Sequence, residues 1–197
     1  MFSRRALCVF TGVAGASLAW PAMAQEVLRY GSHPRQSLQI FRGRAAGPRP
    51  LVVMVGDATR SSRLQPYARQ LASRGLTAAV IDRRPARYGF GAHQGDVAQA
   101  MAALLARHDL FLNGQVAFWG QDSGADAVLL MLCDRRYLQA QAHNPDRVMG
   151  AVLINQNQPN DLTFTQSSAY GLDDPPAIYR TTRAHVADGI RFLSGLL

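Results

Sequence analysis

Short apolar runs alternate along the chain with stretches in which apolar residues recur every three or four positions. Residues 26–30 and 37–41 alternate apolar and polar positions on either side of a Gly-Ser-His-Pro turn, which predicts two short edge strands. The run at 51–55 is continuously apolar, as a strand covered on both faces requires. Helical spacing follows over 64–73 and stops at Gly75, a suitable C′ residue. Residues 76–82 predict the next strand and 83–95 a long loop, followed by an amphipathic helix over 96–108 with Val97, Met101, Leu104 and Leu105 on one face. A strand at 115–119, a helix at 123–133, strands at 148–154 and 176–182 and a closing helix at 186–197 complete the pattern, with a polar irregular stretch at 155–168. Strands alternating with helices predict an α/β fold: a mainly parallel sheet between two helical layers.

Composition narrows this to one soluble domain. The chain has 197 residues, 48% hydrophobic and 17% charged, enough to bury a sizeable core. Residues 1–24 are set apart: a basic start with Arg4 and Arg5, an apolar run over 6–20, and Ala22-Met23-Ala24 as a cleavage signal. The run is too short for a membrane span, so the expectation is a secretory signal and a domain of residues 25–197, exported to the periplasm or secreted with no membrane attachment after cleavage. Ser3-Arg4-Arg5 partly matches a twin-arginine signal, which leaves both Sec and Tat export open.

The formal net charge is +8, and every one of the 21 basic residues is arginine. They are scattered with no run longer than two, which argues against a nucleic-acid partner. Cys8 leaves with the signal and Cys133 stays alone, excluding an intramolecular disulfide and a cysteine-based zinc cluster in the mature chain. No metal and no cofactor is expected. His185 and Asp188 form a His/Asp pair at helical spacing, which reads as a helix-surface coincidence.

The candidate chemistry lies in "FWGQDSGADAVLLML", residues 118–132, where a strand runs through Gly-Gln-Asp-Ser-Gly into a helix. A strand-to-helix turn that presents a nucleophile is so tight that only small residues fit two places before and after its apex. Gly120 and Gly124 stand at those places around Asp122, whereas an apex at Ser123 would put Gln121 and Ala125 there. Asp122 therefore holds the apex, either as a carboxylate nucleophile or as an N-cap whose side chain accepts backbone N–H bonds of the following helix.

The order of elements and three phrases, "YGSHPRQSLQIFRG", "RPLVVMVGDATRSSRLQPYARQLASRGLTAAVID" and "VAFWGQDSGADAVLLMLCDRRYLQAQAHNPDRVMGAVLINQ", resemble the α/β-hydrolase fold over about residues 27–197. The resemblance is to its esterase/lipase branch of carboxylesterases and kynurenine-formamidase-like enzymes. It implies a serine nucleophile, an oxyanion hole of two backbone N–H groups, and an acid and a histidine in that chain order. This chain departs at each point. The nucleophile position is Asp122, with Ser123 beside it. The oxyanion segment, His-Gly-Gly-Gly-Trp in the family, reads Gly56-Asp57-Ala58-Thr59-Arg60, so Gly56, Asp57 and Ser123 would supply the backbone groups and Asp57 would bring an opposing charge. The acid position is Ala184, with Asp188 one turn further on as a substitute. The family's histidine belongs after one more strand, and the chain stops at Leu197 before that strand could form, so the expected fold lacks the last strand and helix. Of His33, His93, His108, His143 and His185, all read as surface-loop or helix-end residues, only His185 lies at the edge where the site would open.

Three readings follow. The first is an exported esterase-like homologue with impaired catalysis, a pseudoenzyme that still takes a small ester-like or aromatic ligand. The second is an active hydrolase with Asp122 as nucleophile and His185 as base, resembling haloalkane dehalogenases and epoxide hydrolases of this fold. The third is a non-catalytic binding or homo-oligomerising module in which a partner covers an unpaired sheet edge.

Overall fold

The computed structural model describes residues 25–44, 47–85, 88, 90–110, 112–134, 136–154, 177–181 and 185–197. Seven strands form one sheet: β1 (Gln25–Arg29), β2 (Ser37–Phe41), β3 (Arg49–Val55), β4 (Thr77–Asp82), β5 (Leu112–Gln121), β6 (Val148–Ile154) and β7 (Ala177–Thr181). Their spatial order is β1-β2-β4-β3-β5-β6-β7. β2 runs antiparallel to β1 and β4, and the other neighbours are parallel.

The continuous apolar runs of the central strands become intelligible once the two faces are separated. Leu51, Val53 and Val55 belong to one core with Phe118, Val97, Met101, Leu104 and Val128. Val52 and Met54 belong to the other, with Trp119, Ala68, Leu71, Ile190 and Leu193. The helices α2 (Phe90–Leu105) and α3 (Ser123–Cys133) thus cover one face, while α1 (Gln65–Ser73) and α5 (Val186–Leu196) cover the other; α4 (Arg136–Gln139) is a short turn after α3. This is the expected three-layer α/β architecture. Among the described residues no helix is long and apolar enough to cross a membrane.

Element boundaries follow the sequence pattern closely except at β5, which spans Leu112–Gln121 instead of 115–119, and at α2, which ends at Leu105 instead of 108 and begins at Phe90 instead of 96. The segment was expected to be a loop because it holds Gly91 and Gly95, both poor helix formers. Tertiary contacts outweigh that propensity: His93, Gln94 and Asp96 are all buried, and Asp96 is hydrogen-bonded to Gln36 and Arg84. Gly75 ends α1 with φ of +91°, the left-handed conformation anticipated there. The proposed signal at 1–24, the polar stretch at 155–168 and Ala184 lie outside the described residues.

Because β3, β4, β5 and β6 are mutually parallel, Val55, Asp82, Gln121 and Ile154 end on one edge of the sheet. In parallel α/β sheets that carboxyl edge is where sites are built.

Candidate functional site

β5 gives way to α3 through a single residue. Asp122 stands between Gln121 and Ser123 with φ 54° and ψ −127°, a backbone conformation that glycine adopts freely and an aspartate adopts at a cost of about 1–3 kcal/mol. The surroundings enforce it. The Asp122 N–H donates to the Ile154 carbonyl at 2.9 Å, tying the apex to the end of β6, and the Asp122 carbonyl accepts from the Ala125 N–H at 2.9 Å. A Cβ on Gly120 would come within 2.5 Å of the Ala125 Cα, and one on Gly124 would overlap the Val55 carbonyl oxygen. Both glycines are therefore steric requirements of a turn packed onto β3, as their spacing suggested.

The side chain of Asp122 does not cap α3: no hydrogen bond joins it to the first turn's N–H groups. The expectation of a capping aspartate is corrected by this geometry. An N-cap normally has extended backbone, whereas the elbow conformation turns the apex side chain away from the helix end.

The remaining predicted residues surround the apex unevenly. β3 ends at Val55, and Gly56 follows with a virtual Cβ only 3.1 Å from Leu64. The Asp57 carboxylate accepts from the Thr59 N–H at 2.8 Å and the Thr59 hydroxyl at 2.6 Å, and these bonds hold it below the usual carboxylate range. It is thus a stable negative charge in the segment where a developing oxyanion would need a donor. His185 is exposed, and its Nδ1 lies 3.5 Å from Asp188, whose carboxyl is held low chiefly by Arg191. The structure gives His185 a partner on its own helix.

One residue that sequence reasoning did not single out completes the edge. Arg83 is 1% exposed, and one terminal nitrogen, Nη2, donates both to the Gly56 carbonyl and to Ser123 Oγ, each at 3.0 Å. It straps the end of β3 to the first residue of α3, and burial pulls its pKa below the usual arginine value. The strand period could have found it: Ala79 and Ile81 face the core beneath α2, and Arg83 is the next residue in that alternation.

His93 was expected at the surface. It is instead buried at the start of α2, and its pKa is lowered by desolvation and then by the charge of Arg83. Its pH effect follows from the sign of that shift. The unfolded chain binds a proton near pH 6.5 and the folded chain only at lower pH, so stability is full above about pH 7 and declines as pH falls. His143 is shifted in the same direction by burial and adds to this slope. Thermal unfolding between pH 8 and 5 should show a falling midpoint, with a shallower slope in His93→Gln; a midpoint that rises toward pH 5 would contradict the assignment.

With the strand order, the strained apex and its two glycines in place, the architecture is decided. The chain has the α/β-hydrolase fold. Solved structures agree: it superposes on a Silicibacter protein assigned as a thioesterase with a TM-score of 0.57 at 19% identity, covering 86% of this chain and 71% of the other. A dienelactone hydrolase-like promiscuous phosphotriesterase from metagenomic libraries gives 0.56 at 17% identity, covering 82% of each chain. Esterase B of Lactobacillus rhamnosis gives 0.52 at 16%, covering 75% of this chain and 55% of its own length. No family model matches the sequence, and no curated protein matches it. Among the described residues of this α/β-hydrolase-fold chain, no group of three or more His, Cys, Asp or Glu side chains is placed to hold a metal.

Proposed function

We propose that this chain is an exported α/β-hydrolase homologue that does not turn over esters and keeps its elbow as a binding surface for a small ester-like or aromatic ligand. The observation that carries the reading is the identity of the apex: the strained position belongs to Asp122, while the neighbouring hydroxyl, Ser123 Oγ, sits one residue off it and accepts from Arg83. A carboxylate adds poorly to an ester carbonyl, because it is a far weaker base than the alkoxide it must expel and the tetrahedral adduct collapses back. The Asp57 charge also opposes an oxyanion at the same edge. Residues 1–24 support export by their composition.

p-Nitrophenyl acetate tests the first part. The full chain should give no rate above a denatured control, and a robust rate that Asp122→Ala removes would overturn the reading. N-terminal sequencing of the exported protein should begin at Gln25.

One observation favours a second reading. Asp122 holds the nucleophile conformation that packing against β3 and β6 imposes, and its carboxylate is not spent on capping α3. A carboxylate there can displace halide from an alkyl carbon or open an epoxide, where its low basicity is no obstacle. Under this reading halide release from a chloroalkane is measurable and vanishes in Asp122→Asn; no release by the unaltered chain would dismiss it.

A further inference from the structure

The elbow holds a charge that the fold leaves uncompensated at contact distance. Arg83 is buried, yet among the described residues Nη2 alone of its guanidinium is hydrogen-bonded; Nε and Nη1 have no partner there and no access to solvent. Buried cations in folded proteins are ordinarily paired and their N–H groups satisfied. The carboxylates closest to it electrostatically are Asp57, Asp96 and Asp126, and none makes a hydrogen bond to it. Asp57 is engaged by Thr59, and Asp96 by Arg84 and Gln36. Three N–H groups, one on Nε and two on Nη1, are thus buried without an acceptor among the described residues.

The position of the guanidinium says what would satisfy it. Its Nη2 rests on Ser123, the first residue of α3, an eleven-residue helix whose N-terminal dipole favours negative charge. Because Ser123 Oγ accepts from Arg83, its own hydroxyl hydrogen remains available to donate. Ser123 and Asp122 are partly exposed, which gives an approach from the carboxyl edge of the sheet. Among the described residues, the donors that a ligand meets there come from Arg83 and Ser123. Asp57, held ionised by Thr59, Asp126, buried in the first turn of α3, and Asp122 all oppose an anion, so the site should bind weakly and single out compact ligands that reach Arg83 directly.

We propose that Arg83 and Ser123 form a recognition site for a small oxyanion, the carboxylate or phosphate group of the ligand that the elbow binds. The proposal rests on the reading of the elbow as a binding surface and names the chemical class of its ligand. Binding requires the Arg83 side chain to turn so that Nε or Nη1 reaches the anion's oxygens at the elbow, and it exchanges a buried orphan cation for a hydrogen-bonded ion pair.

The test is thermal unfolding and calorimetric titration of the full chain with inorganic phosphate and, separately, sodium acetate, against sodium chloride at matched ionic strength. At least one of the two oxyanions should raise the midpoint by several degrees in a saturable manner that chloride does not reproduce. Arg83→Met should abolish that rise, Ser123→Ala should weaken the apparent affinity at least several-fold, and Arg69→Gln, a surface control, should leave it unchanged. Failure of both oxyanions to bind, or equal binding by Arg83→Met or Ser123→Ala, overturns the site. If Arg83→Met does not fold, Ser123→Ala decides alone. Acetate binding without phosphate binding assigns the carboxylate, and the reverse assigns the phosphate. Ester turnover by the unaltered chain would refute the non-catalytic reading while leaving this binding result to stand or fall separately.

Discussion

Gly124→Ala should be among the most damaging single-atom-group changes in the molecule, costing at least about 3 kcal/mol. The added Cβ would overlap the Val55 carbonyl oxygen and lie 2.9 Å from the Gly56 nitrogen. Both are backbone atoms of the central strand and its exit, so no side chain can rotate out of the way. Relief requires α3 to lift off β3, which disturbs the core that Ala125 and Val128 share with Val53 and Val55. Gly95→Ala is the matched control. That glycine lies within α2, its virtual Cβ meets nothing within 4 Å, and alanine there should stabilise by about 0.5–1 kcal/mol through helix propensity alone. Urea denaturation of both variants measures the contrast. A loss below 1 kcal/mol for Gly124→Ala would mean that the elbow is not packed onto β3 as described.

That contrast also separates what was legible in the sequence from what was not. The Gly-x-Asp-x-Gly spacing encodes a local backbone constraint, so the elbow could be read from five residues. The strand runs were similarly legible because burial on both faces leaves continuous apolar stretches. The start of α2 was not: Gly91 and Gly95 signal a loop locally, and the contacts that override them come from Gln36 and Arg84, distant or looped in sequence. Arg83 was hidden for a related reason. An arginine after a strand ordinarily reads as solvated, and only the sheet register places it beneath the elbow with Gly56 and Ser123. The role of Asp122 was misread in one respect, since an aspartate before a helix suggests a cap, while the φ of 54° that denies the cap is imposed by packing against β3 and β6.

The same edge of the sheet depends on one buried carboxylate. Asp96 is fully buried and accepts from Gln36 Nε2 at 2.8 Å, from the Arg84 N–H at 2.9 Å, and from Arg84 Nη2 at 2.7 Å. These bonds join the β1–β2 turn, the exit of β4 and the first turns of α2. Asp96→Ala removes the shared acceptor and strands a guanidinium, a backbone N–H and a carboxamide, so a loss of about 3–5 kcal/mol is expected. The Arg84 guanidinium can recover some solvation because its side chain is 28% exposed, whereas the Gln36 amide is buried and cannot. Arg84→Met alone should cost less, since Asp96 keeps two of its donors. The double variant should therefore be more stable than the sum of the single losses predicts, by at least about 1 kcal/mol. Additive losses in denaturant titrations would show that Arg84 and Asp96 act independently. The Asp96 charge also raises the His93 pKa against the desolvation and the Arg83 charge that lower it, so Asp96→Ala should leave the folded pKa further below the unfolded one and steepen the fall in stability toward pH 5.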